Sequence, residues 1–306
     1  MTNDDELLAA QQEWDAVASV TMATKDVCQS TSTNQGDHLM VVPSSLLSSS
    51  VALQHFRDHR SLSFYKHNIK PAVQYTGLQS CIRKLFGPPQ LLTELEVDRD
   101  LILSLALWQF DNDDSVHTQM IRTIYRQLTS STVDPPRFGN HWDDIGFQGT
   151  DPATDLRGGG CASLINLLYL TNTPRLKNLS QSIYTLSKHP TQNFPFSIMS
   201  INITRIALHA LREQLLNKLA NSTSDLITVF NNFYVACFFH LYLIWRDGGK
   251  TIHDSGYVMQ ETENYCCKHV SVVIKNLETY LQSMSRASTE NTETVNAFTN
   301  LDAFSE

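Results

Sequence analysis

The stretch Leu226–Trp245, LITVFNNFYVACFFHLYLIW, decides how the rest of the chain is read. It holds no charged residue, and a bilayer-spanning helix needs about 20 predominantly apolar residues, so by length it could cross a membrane. Thr228, Asn232 and His240, however, recur at multiples of four, which lays a narrow polar stripe along one helix face. Polar groups facing lipid are costly, so the stripe points to a central helix packed among other helices and to no transmembrane segment.

Helical periodicity extends on both sides of this segment. After Pro195, Met199, Ile203, Ile206, Ala207, Ala210 and Leu211 share one face, and Val270, Val273, Ile274, Leu277 and Leu281 share another. Upstream, Val116, Met120, Ile121, Ile124 and Leu128 follow the acidic start Asp113–Asp114. Further helices are expected over 78–86, 98–109, 160–171, 175–188 and 225–246. Strand-length alternation is scarce. Breaks fall at Gly87-Pro88-Pro89, Pro135-Pro136, Pro190 and Gly248-Gly249. An apolar stripe on each helix must be buried against another, so the pattern predicts one all-α domain over 76–285. Residues 1–75 read as a largely disordered N-terminal region, with a short helix at Asp5–Val20 and the run SSLLSSS at 44–50. Residues 286–306 read as a disordered tail. Such polar stretches offer too little apolar surface to offset the entropy of ordering them.

The chain of 306 residues is 42% hydrophobic and 18% charged, with 23 Lys+Arg against 31 Asp+Glu and a formal net charge of −8. That balance argues against nucleic acid as the main partner and against a purely electrostatic hold on anionic lipid. The six cysteines, Cys28, Cys81, Cys161, Cys237, Cys266 and Cys267, form no C-x-x-C pair. They are expected to be reduced thiols of a cytosolic protein. The acidic N-terminus lacks the order of a signal peptide, so the sequons at Asn178, Asn202 and Asn221 are read as chance.

The least helical stretch is His141–Gly160, HWDDIGFQGTDPATDLRGGG. Its five glycines permit unusual backbone angles and its aromatics can pin a loop to a core. Thr154 or Asp155 is expected to cap the following helix, which places Arg157 in or just before its first turn. The helix dipole disfavours a cation there, so Arg157 stands out. Alternatively, Arg157 could fasten the loop through Asp143, Asp151 or Asp155.

This stretch resembles the ELMO-domain family through W-x3-G-F-Q-x3-P-x-T-D-x-R-G-x-G, with Trp142, Gly146, Phe147, Gln148, Pro152, Thr154, Asp155, Arg157, Gly158 and Gly160 in place. The likeness runs from about Leu78 to Ser285 and includes FPFSIMSINITRIALHALRE at 194–213 and FNNFYVACFFHLYLIWR at 230–246. It implies a single helical ELMO domain. Shorter members of this family act as GTPase-activating proteins for Arf and Arf-like GTPases, while larger ones are scaffolds with added regions. The resemblance to the first group implies a GTP-bound Arf or Arf-like small GTPase as partner, with Arg157 as catalytic residue and no cofactor of the chain's own. It implies a cytoplasmic location, with any attachment to cytoskeleton or membrane made through partners. A non-catalytic adaptor that binds a GTPase or an actin-regulatory partner is the alternative.

Within the motif, Trp142, Phe147 and Pro152 are expected to anchor the loop, and Gln148 to make a backbone hydrogen bond rather than to touch nucleotide. Asp155 is expected to cap or to orient Arg157, and Gly158 and Gly160 to admit a partner or a neighbouring helix. Elsewhere, His55 and His59 in HFRDH lack the glutamate of a zinc-protease helix, so no metal is expected. Cys266–Cys267 reads as packing rather than as an acylation site. FTNLDAF, at 298–304, could be a docking peptide. Neither a P-loop nor a G-x-S-x-G elbow is present.

Overall fold

A computed structural model describes residues 44–301. In chain order its helices are α1 (Ser49–Asp58), α2 (Leu62–Lys66), α3 (Gly77–Phe86), α4 (Glu96–Leu107), α5 (Ser115–Thr129), α6 (Gly160–Asn172), α7 (Lys177–Ser187), α8 (Phe196–Arg212), α9 (Asn217–Thr223), α10 (Leu226–Asp247), α11 (Ser255–Lys268) and α12 (Val270–Leu301). No strand occurs among the described residues. The all-α expectation therefore holds, and the long periodic segments fall where the spacing placed them.

Local chemistry sets the boundaries. Asp114 caps α5 by accepting the Val116 N–H at 2.8 Å, and the helix ends at Ser130 in the left-handed region (φ 59°). Asp225 caps α10 by accepting the Thr228 N–H at 2.9 Å. α10 is long and apolar enough to cross a membrane by length and composition, yet 67% of its most apolar window is buried by the protein itself. It packs on α8, α11 and α12, and Phe233, Tyr234 and Phe238 are fully buried. The Tyr234 hydroxyl finds Ser200 Oγ on α8 at 2.6 Å, so the buried phenol is not left unpaired.

The polar stripe of α10 lies on its more open side: Thr228 is exposed, and Asn232 and His240 are half-buried. Asn232 Oδ1 accepts from the Tyr169 hydroxyl at 3.0 Å and from Arg175 Nη2 at 2.7 Å. His240 stacks on Tyr265 with centroids 4.5 Å apart. α6 is the second central helix, wedged between α5, α4 and α8 and buried over most of its length.

One expected boundary is corrected. Residues 44–75 are not a disordered extension. Ala52 and Phe56 of α1 are fully buried, and Phe56 meets Trp108 edge-on at 5.1 Å, while Trp108 stacks on Tyr65 at 4.6 Å. The preceding strap is bonded to the domain: the Ser44 N–H donates to Asp134 Oδ2 at 2.8 Å, and Arg126 Nη1 to the Ser44 carbonyl at 2.6 Å. The Leu47 N–H donates to Thr123 Oγ1 at 3.1 Å, and Asn172 Nδ2 to the Leu47 carbonyl at 2.8 Å. The strap's polar backbone is satisfied by side chains of α5, of α6 and of Asp134 in the loop after α5, which local composition could not disclose. At the other end, α12 spans Val270–Leu301. The expected helix Asp5–Val20 and Cys28 lie outside the described residues, and FTNLDAF lies partly so. Cys161, Cys237 and Cys266 are buried free thiols and Cys267 is half-buried, consistent with packing roles.

Candidate functional site

The motif loop fills the gap between α5 and α6 and is fastened at nearly every step. Trp142 is fully buried; its Nε1 donates to the Arg137 carbonyl at 3.0 Å, and its ring meets Phe147 edge-on at 6.2 Å. Phe147 is buried, and its N–H closes back on the Trp142 carbonyl at 3.2 Å. Gly146 adopts φ +79° against the start of α8, where an added Cβ would lie 2.2 Å from the Phe196 nitrogen. Its carbonyl accepts the Ile198 N–H at 3.2 Å, and the Ile145 carbonyl accepts Ser197 Oγ at 2.7 Å. Tyr184 on α7 reaches the Asp144 carbonyl at 2.9 Å.

A 3-10 turn, Pro152–Gly158, links this loop to α6. The buried Pro152 sits at its first position, where its missing N–H costs nothing. Asp151 caps this turn by accepting the Ala153 N–H at 2.9 Å, whereas α6 starts from Gly159 without a side-chain cap, so neither Thr154 nor Asp155 caps α6 as the sequence suggested. Thr154 Oγ1 instead donates to the Asp151 carbonyl at 2.8 Å. Asp155 Oδ2 accepts the Gln148 N–H at 2.7 Å, which bolts the loop to the turn. Burial is the main cause that pushes the Asp155 carboxyl up from 3.8 to about 6, helped by the nearby Asp151 and Asp143. The Gln148 N–H and the charge of Arg157 act against that rise.

Gly160 opens α6 at φ +55°, with the space for a Cβ already filled by the carbonyl oxygens of Leu105, Ala106 and Trp108 at 2.6 to 2.7 Å. Here the close approach belongs to the domain's own α4. Gly158 differs: it is exposed, and nothing lies closer to its Cβ position than Ile201 Cγ2 at 4.0 Å. Gly149, at the loop tip, has φ +68° and nothing within 4 Å.

Arg157 lies just before α6, as expected, and is exposed. None of the three suggested fasteners holds it. Among the described residues it forms no hydrogen bond or ion pair, though its charge acts on the Asp155 carboxyl. The Gln148 side chain is half-buried and likewise makes no hydrogen bond among the described residues. The structure therefore brings the ten motif residues together, but in two roles. Trp142, Gly146, Phe147, Pro152, Thr154, Asp155 and Gly160 build the frame; Gln148, Arg157 and Gly158 form its open edge.

The loop clamp that sequence reasoning missed is Arg137. Its Nη2 pairs with Asp151 Oδ1 at 2.7 Å, its Nε donates to Asn112 Oδ1 at 2.8 Å, and its guanidinium lies 4.6 Å from the Phe110 ring centroid and 4.5 Å from that of Phe138. One such arginine holds the loop while another, twenty positions on, stays free. Only the neighbouring Phe138 hinted at this in the sequence.

His55 is drawn not toward a zinc pair with His59 but toward Asp114, at 2.7 Å, with His117 Nε2 at 3.8 Å from the same carboxylate oxygen. These three groups lie within metal-binding reach of one another. The proton on His117 decides against that use. Its Nδ1 accepts the Asp111 N–H at 2.9 Å, so in the neutral ring the proton sits on Nε2, the atom that would have to ligate. Burial lowers the His117 pKa and keeps the ring neutral. The cluster is a hydrogen-bonded clasp between α1 and α5.

The family model for the ELMO/CED-12 family matches residues 100–259, which include the whole motif loop. The chain is 43% identical over 281 residues to ELMO domain-containing protein 3 of Homo sapiens, covering 92% of this chain and 71% of that one. It is 41% identical over 285 residues to the protein of the same name from Mus musculus, covering 93% and 72%. With ELMO domain-containing protein 2 of Bos taurus it shares 28% identity over 171 residues, 55% of each chain. No solved structure matches it. With the family model spanning the helical core and the similarity to relatives running nearly end to end, this chain belongs to the ELMO/CED-12 family.

Proposed function

We propose that this chain is a GTPase-activating protein for an Arf or Arf-like small GTPase in its GTP-bound state, and that Arg157 enters the partner's nucleotide site in trans. The observation that carries the reading is the contrast within one loop. Trp142, Asp151, Thr154 and Asp155 each bond by their side chains within the frame, whereas the Arg157 guanidinium is exposed and makes no hydrogen bond or ion pair among the described residues. An ion pair would have to be broken before the side chain could serve a partner, and this arginine has none to break.

GTP hydrolysis concentrates negative charge on the transferring phosphoryl oxygens and on the leaving group. A planar, permanently charged guanidinium can neutralise both, and such fingers are worth about 10³–10⁵ in rate, or roughly 4–7 kcal/mol. The frame's contribution is orientation: a side chain rooted in a turn bolted to α6 and α8 needs less ordering when it docks. The open space over Gly158 and Gly149 suits the approach of a partner's backbone. In such enzymes the GTPase supplies Mg²⁺, the nucleotide pocket and the residue that orients water. We place this activity in the cytoplasm.

The test is single-turnover GTP hydrolysis by a panel of purified Arf and Arf-like GTPases, with wild-type chain, Arg157→Lys and Arg157→Ala. Acceleration by wild type that both variants lose, with complex formation retained, is the expected result. A GTPase that binds but is accelerated by none of the three proteins would leave the domain as an adaptor.

A further inference from the structure

The segment from Arg57 to Phe86 reverses the charge of the molecule that carries it. It holds Arg57, Arg60, Lys66, Lys70, Arg83 and Lys84 against the lone acid Asp58, in a chain whose formal net charge is −8. The chain-wide excess of acid, which argues against a basic binding face, is thus unevenly spread. Three of these cations are tied to acids elsewhere: Arg57 to Asp98 at 2.7 Å, Lys66 to Asp100 at 3.4 Å and Arg83 to Glu213 at 2.8 Å. Arg60 and Lys70 are exposed and make no ion pair among the described residues.

The same segment exposes large apolar side chains that are left uncovered among the described residues. On α3, Ile82 is 51% exposed, Leu85 76% and Phe86 84%. Steps of three and four place them on one helical face. Phe64, on α2 beside Lys66, is 67% exposed. Single exposed hydrophobes are ordinary, but three within five positions of one helix, each more than half bare, mark a surface built to be covered.

The helix is fixed to the domain by its other side. Beyond its bridge to Glu213, Arg83 stacks over the Tyr75 ring at 4.4 Å, and the Tyr75 hydroxyl donates to Glu213 Oε2 at 2.5 Å. Leu85 lies two positions on from Arg83, about 200° around the helix, and so faces away from this anchor.

We propose that α2 and α3 form a docking face for an anionic lipid bilayer, with Phe64, Ile82, Leu85 and Phe86 entering the interface and Arg60 and Lys70 meeting the headgroups. An amphipathic helix with a bare apolar face, in a segment of net positive charge, has the composition that binds such an interface. A second copy of the chain is the poorer occupant, since a two-fold contact here would set one basic segment against another. The inference is independent of the role given to Arg157.

The experiment is flotation of the full chain with vesicles of phosphatidylcholine alone or of phosphatidylcholine mixed with phosphatidylserine. Binding is expected to the mixed vesicles and to weaken with added salt. The double variant Leu85→Ser/Phe86→Ser should bind at least about tenfold more weakly. Because both side chains are exposed, its melting temperature should stay at the wild-type value. Arg60→Glu/Lys70→Glu should abolish the preference for phosphatidylserine. Failure of the full chain to float overturns the proposal and points to the chain's own acidic N-terminal residues as the cover. Binding unchanged in the Leu85→Ser/Phe86→Ser protein overturns it equally.

Discussion

Replacing Asp155 by Asn separates the two things its carboxylate does. The group accepts the Gln148 N–H at 2.7 Å, and burial raises its pKa from 3.8 to about 6. A carboxyl whose folded pKa lies above its unfolded one is more readily protonated in the fold, so its ionisation costs stability. That cost is absent below about pH 4, grows as pH rises to about 6, and stays constant above. The full linkage for such a difference is about 3 kcal/mol, which we discount to about 1–2 kcal/mol because Asp155 is only half-buried and solvent screens it. Asn keeps an oxygen for the Gln148 N–H and cannot ionise. Urea denaturation of both proteins at a series of pH values from about 4 to about 7.5 gives the difference in stability directly, with every other titrating group common to both. The Asn variant should gain about 1–2 kcal/mol on wild type across that interval, mostly between about pH 4 and 6. Arg157 is among the groups that lower the Asp155 pKa, so in an Arg157→Ala background the step should move to higher pH. A flat difference, or one that turns against Asn as pH rises, would refute the reasoning, for the carboxylate would then be stabilised by its surroundings rather than burdened by them.

Arg157→Ala should change stability by no more than about 0.5 kcal/mol, as expected for an exposed side chain without a partner, while GTPase activation falls by about 10³–10⁵. Equal loss of both in parallel melts and single-turnover assays would make it a structural residue. Gly146→Ala should destabilise by more than about 3 kcal/mol, because left-handed strain of about 1–2 kcal/mol is joined by collision with the backbone of Phe196. Gly149→Ala, with positive φ but open space, should cost only the strain, about 1–2 kcal/mol, and a calorimetric comparison of the two separates these contributions. Arg137→Met keeps apolar contact with Phe110 and Phe138 but strands Asp151; a loss of about 1–3 kcal/mol is expected, with fluorescence of the neighbouring Trp142 reporting loosening of the loop.

What was legible in the sequence follows from the range of the interactions involved. α5, α8 and α10 announce themselves because each carries its own period and its own break or cap, Asp114 and Asp225 among them. The strap at 44–48 does not, because its hydrogen-bond partners are Asp134, Arg126, Thr123 and Asn172, up to 125 residues away. The short helix α9 and the polar α11 carry no clear period for a related reason: few of their positions are apolar, and neighbours in space decide their state. In the motif loop, the resemblance to the ELMO-domain pattern marked the ten positions, but not which aspartate does what. Asp143, Asp151 and Asp155 each stood as a possible fastener of Arg157 on sequence grounds. Only the fold shows that Arg137 takes Asp151 and that Gln148 takes Asp155.

The division of labour among the glycines carries the argument for a partner further than composition can. Gly146 and Gly160 have positive φ, and the volume of a side chain at each is occupied by backbone of the same domain. Their presence is explained by folding alone. Gly149 and Gly158 face space that the domain leaves empty. A positive φ accounts for Gly149, but Gly158 lacks one, so neither strain nor internal packing requires glycine there. What remains is the exterior: a side chain at Gly158, the position next to Arg157, would project into space that the described residues leave open. If the edge serves a docking partner, Gly158→Val should leave the melting temperature unchanged while weakening activation of the responsive GTPase. A Gly158→Val protein that melts normally and activates normally would show that the space is merely unused, and would remove one of the two supports for the proposed encounter.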